Sequence, residues 1–160
     1  MVKETKKPFG GTSLYDALVR ASSMFAKRKH QRAGLVIISD GEDTASDAKR
    51  QDALWALTPT GAFVYALAID APTGPAINRG FSPHALQEIT GQNGGYTAVI
   101  TRSDALAEST ERISTELNHQ YTVGFVSPYG HDGKYHLLRV RMQDATRTAC
   151  ARRGYFATPR

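Results

Sequence analysis

Leu35-Val36-Ile37-Ile38 is an unbroken apolar run, mostly β-branched, that ends in Ser39-Asp40-Gly41. With no polar alternation it has no face to give to water, so it fits a strand buried on both sides, as in a parallel sheet. Ala62 to Ile69 reads as a second buried strand ending at Asp70, and Tyr96 to Ile100 as a third. Helical patterns separate them. Leu14, Ala17, Leu18, Ala21 and Phe25 recur at helical spacing, with Thr12 or Ser13 as N-cap, Asp16 in the first turn and Lys27-Arg28-Lys29-His30 at the far end. Gly34 breaks that pattern. Thr44 to Leu57 reads as a helix with Ala53, Leu54 and Leu57 inward, stopped by Pro59 and Gly61.

Ala71 to Phe81 carries the Pro and Gly of a loop. Ser82-Pro83 then opens a short helix in the favoured N-cap and N1 arrangement, ending in the turn residues Thr90 to Gly95. Ser103 caps a last helix whose face is Leu106, Thr110, Ile113 and Leu117. Helices alternating with buried strands predict an α/β fold with a mostly parallel sheet over 1–118. Over 119–160 the pattern changes. Tyr121 to Val126, Tyr135 to Met142 and Arg147 to Tyr155 predict an antiparallel hairpin or meander packed on the same domain.

A hydrophobic share of 41% and a charged share of 22% exclude wholesale disorder. Leu, Ile, Val and Phe make only a fifth of the chain, a thin core. No apolar run is long enough to span a membrane. The opening Met1 to Pro8 lacks the apolar segment of a secretory signal. Cys150 is the single cysteine, which excludes an internal disulfide and a cysteine-based zinc site. The net charge of +5 lies wholly in 119–160, because acidic and basic residues cancel before it. That basic extension reads as a solvated strand face or as an attractor of nucleic acid or anionic surfaces.

Ligands gather beyond the carboxyl ends of parallel strands, where Asp40 and Asp70 sit. Asp40, Glu42 and Asp43 crowd one strand tip and suit a hard cation such as magnesium; equally, Asp43 and Thr44 could cap the following helix. Gly10-Gly11-Thr12-Ser13 offers amides and hydroxyls at a helix start, but no Gly-Lys-Ser/Thr makes it a P-loop. Ser39 lacks the glycine-flanked elbow of a hydrolase nucleophile. His131 and His136 could face each other across a hairpin without a third metal ligand. Cys150 reads as a packed, inert thiol, and Trp55 and Tyr96 as core or rim.

Gly10 to Ala17 followed by Leu35 to Asp43 resembles the von Willebrand factor A domain, and more narrowly its bacterial, VWFA-related Acidobacteria-type branch. Asn118 to Phe125, Asp132 to Tyr135 and Ala151 to Tyr155 are similar to that family's closing strands. The resemblance implies a Rossmann-like, doubly wound α/β domain with a metal-ion-dependent adhesion site, in which a cation keeps one position free for a carboxylate from a protein ligand. It makes Thr12 the threonine of the second metal loop and Asp40 the aspartate of the third. The family's first loop, Asp-x-Ser-x-Ser, does not occur in this chain. The chain therefore resembles a domain missing its first strands, a natural fragment, a mis-started frame or a deliberate truncation. Magnesium binding is expected to be weak or absent, and the 35–39 strand is expected to be an open edge prone to self-association. The family also implies an exported or extracytoplasmic setting when full length.

Three functions compete. The leading one is a non-enzymatic, adhesion-type protein-interaction module with an incomplete metal site. The alternatives are a magnesium-dependent hydrolase or phosphoryl-transfer enzyme at the Asp40 tip, which lacks an evident nucleophile, and binding of nucleic acid or anionic surfaces through the basic tail.

Overall fold

The computed structural model describes residues 10–30, 33–70 and 81–157. The Met1 to Pro8 segment and, apart from Phe81, the loop expected over 71–81 lie outside them. In chain order the elements are α1 (Leu14–Phe25), β1 (Gly34–Ser39), α2 (Arg50–Leu57), a 3-10 turn (Thr58–Thr60), β2 (Phe63–Ile69), α3 (Pro83–Gln92), β3 (Thr97–Ile100), α4 (Ser103–Asn118), β4 (Tyr135–Leu137) and β5 (Gly154–Phe156).

The first three strands form one parallel sheet in the order β1-β2-β3. Side chains alternate across it with the period of two that a strand imposes. Leu35 and Ile37 of β1 and Val64, Ala66 and Ala68 of β2 share the face covered by Leu14 and Leu18 of α1, Ala53, Leu54 and Leu57 of α2, and Leu86 and Ile89 of α3. Tyr65 and Leu67 share the opposite face with Ile100 and the half-buried Ala98, under Ala105, Ile113 and Leu117 of α4. The α/β class and the parallel sheet with helices on both faces are thus present, with three helices on one side and one on the other.

Burial separates the two long strands. β2 is central and buried throughout its middle, as its sequence predicts. β1 is not buried on both sides: Val36 is 42% and Ile38 68% exposed. The register sets these two beside Tyr65 and Leu67, on the face where α4 packs against β2 and β3. Among the described residues β1 is an edge strand, and α4 reaches this face of it only at Gly34, through Leu117, leaving Val36 and Ile38 uncovered.

Three helices differ from expectation. α1 ends at Phe25, so Lys27 to His30 follow it instead of forming its last turn. α2 begins only at Arg50, because residues 44–48 are drawn into contacts with the start of α1. Ser103 is the first residue of α4, and Arg102 holds the N-cap position expected of it. In α4 the inward stripe runs through Ala105, Ile113 and Leu117, leaving Leu106 exposed. α3 keeps its expected Ser82 N-cap and Pro83 start, although the Ser82 side chain makes no capping bond.

The C-terminal meander is reduced to one short antiparallel pair, Tyr135↔Phe156 to Leu137↔Gly154. Tyr121–Val126 forms no strand, and Tyr121, Val123 and Val126 are almost fully exposed. Val140 and Met142 are also exposed beyond the end of β4. An alternating pattern holds a strand only where a second layer receives its apolar face, and here the surviving pair lies beside α3 and the 3-10 turn. There the Arg153 amide donates to the Gln92 carbonyl at 3.2 Å, the Tyr135 hydroxyl reaches Gln92 Oε1 at 3.3 Å, and Phe156 packs edge-on against Tyr135.

Candidate functional site

Asp40 leaves the carboxyl end of β1 exposed to solvent. Its Oδ1 accepts the Glu42 amide at 3.1 Å and lies 3.4 Å from the Ser39 hydroxyl, and its carbonyl accepts the Ser82 amide at 2.9 Å. Gly41 makes this turn with φ +84°, and a Cβ there would run into the Ser82 carbonyl. Only glycine meets both the positive φ and the close approach. The strand tip is thereby fastened to the start of α3.

Thr12 reaches the same end of the sheet from the other side. Its amide donates to Thr44 Oγ1 at 2.8 Å, and its carbonyl accepts the amides of Thr44 (2.9 Å) and Ala45 (3.1 Å). The Ser13 hydroxyl donates to the Ala45 carbonyl at 3.2 Å. The Gly10–Ser13 loop therefore lies against the segment that follows Asp40. Among the described residues Thr12 and Asp40 share no hydrogen bond; they are linked through the 42–45 turn.

The acidic cluster is divided by function. Asp43 caps α1, not the following helix. Its Oδ2 accepts the Tyr15 amide at 2.8 Å and the Ser46 hydroxyl at 2.6 Å, and its Oδ1 accepts the Ser46 amide at 3.2 Å. Ser46 Oγ in turn accepts the Asp16 amide at 3.1 Å. Neither Thr12 nor Ser13 supplies a side-chain cap, so the N-terminus of α1 is satisfied by a loop some thirty residues away. Asp16 returns the favour: its two oxygens accept the amides of Asp47 (3.1 Å) and Ala48 (2.9 Å). Partial burial pushes the Asp43 carboxyl upward. The bonds from the Ser46 hydroxyl and the Tyr15 and Ser46 amides outweigh it and hold the group below the usual carboxylate range.

These commitments bear on a cation. Asp43 and Asp16 spend their oxygens on backbone amides and the Ser46 hydroxyl, which leaves the exposed Asp40 and Asp47 and the half-buried Glu42 as the other carboxylates at this end. Asp70, at the end of β2, is held by its own amide donating to the Ile100 carbonyl at 3.0 Å. No group of three His, Cys, Asp or Glu side chains converges on one point among the described residues. Magnesium demands near-octahedral oxygen geometry and sheds water reluctantly. The donors present do not fit a tight magnesium site.

The remaining candidates are dispersed. His136 Nε2 pairs with Asp132 at 3.0 Å and its ring stacks on Tyr129 at 4.0 Å. Cys150 is exposed and outside any strand, not packed. Trp55 lies on the surface, whereas Tyr96 packs edge-on to the buried Tyr65 under the Arg112 guanidinium. Ser46 is the residue of this loop pair that spacing alone misses; its signal is the Asp43-x-x-Ser46 pattern, which fits capping, but of a distant helix. No protein-family model, no curated protein and no solved structure matches this chain.

Proposed function

We propose that this chain is a non-enzymatic protein-interaction module of the adhesion type, with the Gly10–Ser13 and Asp40–Ser46 loops as its recognition end and a carboxylate-bearing protein segment as its ligand. The observation that carries this reading is the joining of the two loops: Thr12 is hydrogen-bonded through both its amide and its carbonyl to the turn after Asp40, at the carboxyl end of a parallel sheet. That edge is where parallel α/β sheets place ligands. The resemblance to von Willebrand factor A domains gives the same two residues, Thr12 and Asp40, a role in holding a divalent cation that accepts the ligand's carboxylate. With Asp40 as the one charged residue of the resembled site, the cation contributes little here, and recognition rests mainly on the loops' amides and hydroxyls.

An enzyme reading needs a nucleophile beside a base. The Ser39 hydroxyl instead accepts the Gly41 amide and lies beside Asp40, its geometry that of a turn. Titrating the ¹⁵N-labelled chain with a glutamate-containing peptide, with and without magnesium, tests the proposal. Shifts confined to 10–16 and 40–48, and lost in Thr12→Ala with Asp40→Ala, are expected. Hydrolysis of a generic phosphoester that disappears in Asp40→Asn would replace it with the enzyme reading.

A further inference from the structure

Among the described residues no strand pairs with the outer side of β1. The Phe63 amide donates to the Ala33 carbonyl at 3.0 Å, which fixes the side of β1 that faces β2. Backbone groups alternate along a strand, so those of Leu35 and Ile37 also face β2, and those of Gly34, Val36 and Ile38 point outward. Val36 and Ile38 are also the residues whose side chains are left exposed, 42% and 68%. The same two residues thus carry both the free main-chain groups and the bare apolar surface.

The charge at the two ends of the strand selects an orientation. The chain approaches β1 from Lys27-Arg28-Lys29-His30, all exposed, and leaves it through the exposed Asp40 and the half-buried Glu42. A second β1 laid parallel would set like charges together at both ends. Laid antiparallel, it sets each basic end against an acidic one.

We infer that two copies of this chain associate through antiparallel β1 strands about a two-fold axis at Ile37, joining their sheets into one. In this register Val36 lies opposite Ile38 of the second copy, and Ile38 opposite its Val36. Each such pair exchanges both main-chain hydrogen bonds, because both residues present outward groups. Ile37 falls opposite its own copy as a non-hydrogen-bonded pair, in keeping with its backbone facing β2. A register centred on Val36 instead sets Ile38 against Gly34 and loses half of the apolar match. Facing residues of an antiparallel pair lie on one side of the sheet, so the exposed valines and isoleucines of both copies form a single patch on the α4 side. The arrangement is isologous and closed, so it ends at two copies.

Sedimentation velocity of the full chain over a range of concentrations tests this. A reversible dimer is expected, lost in Ile38→Lys, whose exposed position leaves the monomer's fold and melting unchanged. Asp40→Lys weakens the dimer, and its salt sensitivity falls. The register is read in a Cys150→Ser background by mixing the Val36→Cys and Ile38→Cys variants. Mild oxidation is expected to link one to the other in preference to either with itself, since facing strand residues lie within disulfide reach. A monomer at every concentration overturns the inference. So does preferential self-linking of Val36→Cys, or a dimer that survives Ile38→Lys but is lost in Val123→Lys, which would mean that the Tyr121–Val126 segment of a second copy is the occupant.

Discussion

Asp43 Oδ2 accepts the amide proton of Tyr15 at 2.8 Å, so the carboxylate after one strand caps the helix before that strand. With Asp16 accepting the amides of Asp47 and Ala48, the contact is reciprocal, each loop supplying what the other's backbone lacks. This exchange ties the two loops of the candidate recognition end together.

Asp43→Ala is expected to destabilise the chain by about 1 to 2 kcal/mol, the usual loss for a helix cap. Urea unfolding measures it. The group is held below its ordinary range in the folded state, so its contribution is fully present above the unfolded carboxylate range and is lost as pH falls through the lower, folded value. The gap between wild type and Asp43→Ala should therefore be constant near neutrality and close below about pH 4. A gap that widens on acidification would contradict the capping role.

Gly41→Ala combines a positive φ with a clash against the Ser82 carbonyl. It is expected to cost at least about 1 kcal/mol and to loosen the Asp40 turn from the start of α3. Amide exchange at Ser82, which donates to the Asp40 carbonyl, should accelerate. Unchanged exchange there would show that the turn tolerates a side chain.

Tyr65 is 1% exposed and packs edge-on against Tyr96 at 5.5 Å between ring centres. Burial, with the Glu116 carboxylate nearby, pushes its hydroxyl well above the ordinary tyrosine range, so it stays protonated at any working pH. Tyr65→Ala is expected to cost about 3 kcal/mol or more, as for other large-to-small core changes, and Tyr65→Phe much less. Equal losses in the two variants would place the stabilisation in the hydroxyl and not in ring packing.

Isothermal titration with magnesium is expected to give an affinity on the order of millimolar or weaker, reduced further in Asp40→Ala. A saturable micromolar site that Asp40→Ala removes would show that other oxygens complete the coordination.

The sequence by itself determined the α/β class, because runs such as Leu35–Ile38 and Val64–Ile69 have no polar face and must pair within a layered sheet. It also placed Pro83 at a helix start and Asp40 at a strand tip, since both follow from local backbone preference and chain order. Tertiary structure alone decided which of those runs is central. Val36 and Ile38 look as buried as Val64 and Leu67 in sequence, yet coverage depends on where α4 lies, and it lies over β2 and β3. The fate of Asp43 was likewise nonlocal: a carboxylate serves whichever unpaired amides come within reach, and those of α1 arrive only through the fold. The loss of the expected strand over Tyr121–Val126 has the same origin, because period-two alternation describes a face, and only packing supplies something for that face to cover.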